Sequence, residues 1–304
     1  MKILVGGYTS SKLGGIALID SNLDYEKSTV AIVGNPSYLC VNKNEVYCVT
    51  KEGQRAGFNK YIYDGELLVK AGGNLHQSVA PCYITLINNE IYTCNYHEGT
   101  LTIYDSNFEI QNQIYEHGGK CHFIIFRDCL YYCFFLGSDK IHIFANHKIL
   151  DKDIIFPKGS GPRHAVLHHK TNNMYIICEC SNDIYRLDIN NNLKLMCNAT
   201  TDTEIESSSA AIRLSEDENY LYVSNRGEDT IAIYEITIDD LILKQMFKLP
   251  TKGPRDFQVV DNKIIIANQF SNCVSIYTLN NYLIDKLIKE VPSYKPTCVA
   301  ILEK

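Results

Sequence analysis

Two four-residue segments are the first candidates for chemistry. Gly161-Pro162-Arg163-His164 and Gly253-Pro254-Arg255-Asp256 each set an arginine and then a titratable residue behind a Gly-Pro turn. Glu179 lies one short hairpin beyond His164, a separation at which antiparallel pairing is expected to bring the two within hydrogen-bond reach. A His–carboxylate pair beside several arginines suits hydrolysis of an anionic ester or lactone. One member of the pair takes a proton from water, while the arginines hold the anionic group and stabilise the oxyanion of the tetrahedral intermediate. The planar guanidinium fork accepts phosphate and carboxylate alike, so residue type leaves the anion open. Arg213 follows Ala211 by two residues and projects to the same side of its strand. The alternative is that Arg and His at these turns only tie loops together.

These residues recur because the chain recurs. Asn89–Asp105, Glu218–Ile236 and Asp261–Leu279 align as a polar turn, a β-branched and Tyr-rich run, an Asn, a variable residue, a second turn and a second run. Weaker copies span Asn44–Gly53, Asp128–Phe144 and Asn173–Ile189. Each copy follows a short apolar strand introduced near Pro36, Pro81, Lys120, Pro162, Ser209, Pro254 or Pro296, at steps of 39 to 47 residues. A period of ~40–45 with three or four short strands per unit is the signature of a propeller blade. Seven anchors predict an all-β, seven-bladed β-propeller over residues 1–304 as one domain. Pro296 leaves length for one strand only, so the C-terminal strand is expected to join the N-terminal strands and close the ring. A β-sandwich with accidental spacing is the competing fold.

Two columns of the repeat vary while the others stay uniform. At the end of the second strand stand Lys51, Tyr96, Phe135, Glu179, Arg226 and Gln269; near the start of the first stand Tyr38, Tyr83, His122, His164, Ala211, Asp256 and Cys298. Antiparallel pairing puts both columns at the same end of each hairpin. Variation of this kind is expected of a site grafted onto a rigid scaffold. Tyr47, Tyr92, Tyr131, Tyr175 and Tyr222 share another column and read as half-buried strand aromatics with wet hydroxyls.

Composition narrows the classes. The net charge of −6, with no Lys/Arg-rich run, argues against nucleic acid as a partner, and no apolar stretch approaches the ~20 residues of a membrane span. Of 12 Cys none forms a C-x-x-C, so buried reduced thiols are expected in place of a zinc site; no cofactor is expected either. Met1–Ser10 has too short an apolar run for a signal peptide, which predicts a cytoplasmic protein. Oligomeric state is not readable from the sequence.

Gly161–Glu179, Ala210–Ile236 and Gly253–Tyr277 resemble the lactonase family of seven-bladed propellers, which includes propeller-type 6-phosphogluconolactonases and fungal carboxymuconate cyclases. GGYTS (Gly6–Ser10), NPSYL (Asn35–Leu39) and NYHEG (Asn95–Gly99) extend the resemblance over nearly the whole chain. It implies a metal-independent hydrolase of 6-phospho-D-glucono-1,5-lactone, a small anionic sugar lactone of the pentose phosphate route. Another anionic lactone such as carboxymuconolactone, or a non-catalytic scaffold, are the alternatives. By matching motif the resemblance implies His164, Glu179 and Arg226 as catalytic residues, and Arg213, Arg255, Gln269 and His122 as substrate-binding residues. The chain departs from the family pattern at Cys178 for Asn, Phe135 for Asp, Tyr83 for His and His169 for a turn Pro.

Overall fold

The computed structural model describes residues 1–10, 14–20, 25–150, 152–200 and 204–303. These form 29 strands and a single 3-10 turn, Leu136–Ser138. The strands pair into seven sheets, six of four strands and one of five. Sheets 1 to 6 are numbered along the chain from Leu39–Asn42, Tyr83–Ile87, Cys121–Arg127, Pro162–His168, Ser208–Leu214 and Pro254–Val260, their first strands. Sheet 7 is built from both chain ends. Pro296–Glu303 pairs antiparallel with Lys2–Gly7, setting Val299 opposite Val5, and Ile16–Ile19 and Tyr25–Ala31 follow. The expected union of the termini is therefore present.

The chain divides into two compact units. One comprises Met1–His122, Asn272–Val274 and Lys289–Lys304; the other comprises Phe123–Ser271 and Ser275–Ile288. Within the first, Leu4, Leu18, Leu39, Val46 and Cys298 pack between sheets 7 and 1, and Val49, Phe58, Ile84 and Tyr104 pack between sheets 1 and 2. Within the second, Tyr175, Ile177, Ile212 and Val223 join sheets 4 and 5, and Ala211, Tyr222, Phe257 and Ile266 join sheets 5 and 6.

Packing on both faces explains the continuous burial of the second strands. Glu90–Asn95, Asn173–Cys178 and Lys263–Asn268 each bury five residues in a row. A short, continuous apolar run is the signature of a strand covered on both sides. The Tyr column is deeper than its sequence suggests. Tyr92, Tyr175 and Tyr222 are fully buried, and hydroxyls donate within the protein, from Tyr92 to Glu90 at 2.7 Å and from Tyr222 to the Tyr282 carbonyl at 2.7 Å. Cys94 and Cys133 fill buried positions, and all twelve cysteines are free thiols.

The first strands of sheets 4, 5 and 6 share an irregularity that positions the site. Their register slips between Pro162 and His164, between Ser209 and Ile212, and between Pro254 and Asp256. A β-bulge leaves its extra residue outside the ladder and re-aims the side chain. In sheets 4 and 6 the extra residues are Arg163 and Arg255.

Candidate active site

The hairpin of sheet 4 begins with a turn only glycine fits well. Gly161 has φ +66°, and a Cβ there would lie 2.7 Å from Cys180 Sγ. Pro162 then faces Cys178 and His164 faces Ile177, with Arg163 bulged between them. The Glu179 N–H donates to the Gly161 carbonyl at 2.7 Å, which fixes the far strand's end beside the bulge. Arg163 Nε therefore meets Glu179 Oε2 at 2.6 Å, and Arg163 Nη1 donates to the Ala210 carbonyl at 2.5 Å.

Sheet 6 repeats this backbone with a different partner. Gly253 has φ +72° and packs under Phe270, and the Gln269 N–H donates to the Gly253 carbonyl at 2.9 Å. Arg255 Nη1 donates to Gln269 Oε1 at 3.2 Å. Between them, sheet 5 sets Arg226 opposite Ser208, with Arg226 Nε donating to the Ser208 carbonyl at 3.3 Å. Arg226 Nη2 lies 3.1 Å from Glu179 Oε2, so one carboxylate oxygen serves two arginines.

Burial alone pushes the Glu179 carboxyl up, but Arg163, then Arg226 and Arg255, outweigh it and hold the group below the usual carboxylate range. Burial, with repulsion from Arg163, brings Arg226 down to about 10, although Glu179 partly offsets both. A carboxylate whose ionised form is favoured is a weaker base, and its geometry is that of a clamp on two guanidiniums. Arg163, Arg226 and Arg255 around one carboxylate can hold an anionic ligand and stabilise a developing oxyanion.

The other expected residues lie differently. His164 is buried, its ring tilted against Phe123 at 4.9 Å between centroids. The bulge puts Arg163 rather than His164 at the strand end beside Glu179, so the carboxylate's ion pairs are with arginines. Arg213 faces Tyr222, whereas Arg226 faces Ser208, so the two occupy opposite ends of one hairpin. Arg213 Nη2 meets Asp256 Oδ1 at 2.6 Å, with its guanidinium over the Phe257 ring. His122 belongs to the first unit, where its buried ring stands edge-on to Tyr96 at 6.2 Å. Phe135 is fully buried against His142, so this position of the variable column is apolar packing in sheet 3.

Arg163 is the cluster member that the matched motifs left out. Its equivalence with Arg255 in the paired Gly-Pro-Arg segments was the available signal. Among the described residues no three His, Cys, Asp or Glu side chains converge as a metal site requires, and no helix is long and apolar enough to cross a membrane.

A profile of the family described as "Lactonase, 7-bladed beta-propeller" matches residues 2–301. The seven sheets are thus the seven predicted blades. The 6-phosphogluconolactonase of Bacillus subtilis (strain 168) is 28% identical over 296 residues, covering 83% of each chain. A crystal structure of a protein from Lactobacillus plantarum is similar with a TM-score of 0.91 at 24% identity, covering 99% of both chains. The periplasmic gluconolactonase of Pseudomonas aeruginosa is similar with a TM-score of 0.87 at 18% identity, over 98% of both. At these identities the two solved structures establish likeness of fold.

Proposed function

The chain belongs to the lactonase family of seven-bladed β-propellers, and from that premise we propose that it hydrolyses 6-phospho-D-glucono-1,5-lactone to 6-phosphogluconate. The observation that carries this reading is the cluster of Arg163, Arg226 and Arg255 around the carboxylate of Glu179. The name of the Bacillus subtilis relative supports the substrate. In this reading Arg226 and Arg255 take up the anionic lactone, and Gln269 orients Arg255. Glu179 holds Arg163 and Arg226 in place. His164 takes the proton as water adds to the lactone carbonyl carbon, and the arginines stabilise the oxyanion. The ring C–O bond then breaks, and the leaving oxygen receives the proton from His164. Arg213 is committed to Asp256 and has no part in binding here, while His122 is kept as a substrate-binding candidate. Because a phosphorylated sugar lactone arises inside the cell, the reading is of a cytoplasmic enzyme of the pentose phosphate route, which cell fractionation checks.

The deciding measurement is hydrolysis of the phospho-lactone, corrected for spontaneous opening. The parent should turn it over, and His164→Ala should lower kcat about 100-fold or more, the scale of lost general-base catalysis. A parent with no turnover above background would end the proposal. A fully active His164→Ala would move the base elsewhere, and His122→Ala in the same assay decides the role of His122 through KM.

A further inference from the structure

The loops that carry the cluster's arginines are held by one repeated device outside the cluster itself. Asp139, in the tight turn of sheet 3 at φ +54°, accepts the Gly159 and Gly161 N–H groups on its two carboxylate oxygens, both at 2.7 Å. Its own carbonyl accepts the Phe156 N–H at 2.9 Å. Asp229 does the same from sheet 5, also at φ +54°. Its Oδ1 accepts the Gly253 N–H at 2.8 Å and the Gly227 N–H at 3.3 Å, and its carbonyl accepts Leu249 N–H at 2.9 Å. Asn182 holds Ser209 N–H at 2.7 Å, and within the first unit Asn272 holds Lys295 N–H at 3.0 Å. Their carbonyls likewise accept Ala199 and Ser293 N–H groups at 2.7 and 2.9 Å.

Sheet 2 separates the two halves of the device. Gly99 occupies this position at φ +66°, and its carbonyl still accepts the Glu116 N–H at 3.0 Å. It has no side chain to reach the next loop, and that loop leads to Cys121 rather than an arginine. The carbonyl bond therefore belongs to the scaffold in every case, while the side-chain clamp is an addition. A carboxylate accepting backbone N–H groups makes charge-assisted bonds, stronger than neutral ones. Asp and Asn also tolerate the left-handed backbone that the turn demands.

We infer that Asp139 and Asp229 are positioning residues of the arginine cluster, each clamping the Gly-Pro turn whose next residue is the bulged Arg163 or Arg255. Asp229 reaches both flanking loops, through Gly227 beside Arg226 and through Gly253 two residues before Arg255. The clamp fixes these guanidiniums before a ligand arrives, which lowers the ordering cost of binding. Its effect on catalysis rests on the proposed lactonase activity; its effect on Arg255 does not.

The test uses three variants of the full chain. Asp229→Gly removes the clamp without straining the turn. Asp229→Asn keeps an acceptor oxygen, as Asn182 does natively. Asn272→Gly removes the same clamp where no arginine follows. Asp229→Gly should raise KM for the phospho-lactone about tenfold with kcat within about twofold, the scale expected of a misplaced binding group. Asp229→Asn should restore the parental KM, and Asn272→Gly should lower Tm without changing KM. An unchanged KM in Asp229→Gly, or a rise that Asp229→Asn does not rescue, overturns the inference. Crystal structures of the parent and Asp229→Gly give a readout that needs no turnover. Displacement of Arg255 from Gln269 in the variant supports the clamp, and an Arg255 still seated at 3.2 Å refutes it. A parent inactive on the lactone would defeat the proposed function, yet the position of Arg255 in the two crystals would still decide for or against the clamp.

Discussion

The hairpins of sheets 4 and 6 share a backbone and differ in the partner given to the bulged arginine. Both open on a glycine with positive φ, place a proline first in the strand, bulge at the arginine, and tie the two strand ends by one N–H to carbonyl bond. In sheet 4 the partner is Glu179, whose carboxylate compensates Arg163, 3% exposed, as a buried cation requires. In sheet 6 the partner is Gln269, whose amide oxygen orients Arg255 without itself carrying a compensating charge. The bulged arginine thus meets an ionic partner from its own hairpin in sheet 4 and an amide partner in sheet 6.

Arg255→Ala should break the comparison most severely. Losing a charge-assisted contact to the substrate anion should raise KM about 100-fold, equivalent to about 2.7 kcal/mol; a KM within twofold of the parent would show that the anion is held elsewhere. Glu179→Gln turns the sheet 4 hairpin into a copy of sheet 6. It leaves Arg163 and Arg226 without their carboxylate, and the partly solvated pair should cost about 2 kcal/mol in denaturant unfolding. The same variant tests the titration. Because the Glu179 carboxyl is lowered in the folded state, its stabilisation is fully present above the unfolded value of about 4.3. It should fade as pH falls from there through the lowered folded value. A parent-minus-variant difference that already shrinks between pH 7 and 5 would contradict this.

The reverse exchange, Gln269→Glu, gives sheet 6 the partner of sheet 4. By setting a carboxylate in place of the amide on Arg255 it should raise KM about tenfold, about 1.4 kcal/mol, with little change in Tm; isothermal titration with 6-phosphogluconate would give the same ranking. The smallest effect is expected from Gly253→Ala. Its Cβ would meet Phe270 Cδ2 at 2.6 Å, but that ring is exposed and can swing aside. The remaining cost is the left-handed backbone, about 1 kcal/mol in a chemical melt. A loss several times larger would mean that Phe270 is fixed in place.

Much of the fold was legible because the repeat is carried by turns and strand punctuation, which act locally. The Pro and polar-turn anchors located all seven sheets, and the strand-length remainder after Pro296 predicted the pairing of Pro296–Glu303 with Lys2–Gly7. Depth of burial was less legible. Tyr92 and Tyr222 read as half-wet because a strand's own pattern does not show a second sheet packed on its other face. Within the candidate site, the twin Gly-Pro-Arg segments marked both bulged arginines. The pairing of His164 with Glu179 was expected from hairpin spacing, which does not register a one-residue bulge. Arg213 was expected to bind substrate, and residue type alone does not announce that Asp256 of the adjacent sheet meets its guanidinium at 2.6 Å.

The amino-acid order by itself determined the seven-fold period, the sheet shared by the two chain ends and the residue types in the variable columns. These follow from local backbone preference and strand periodicity. Only the tertiary structure decided which charge meets which. Arg226 reaches Glu179 from another sheet, and Asp229 clamps a loop that belongs to the next. Ion pairing changes steeply over a few ångströms, and distances between neighbouring hairpins are set by how their faces pack.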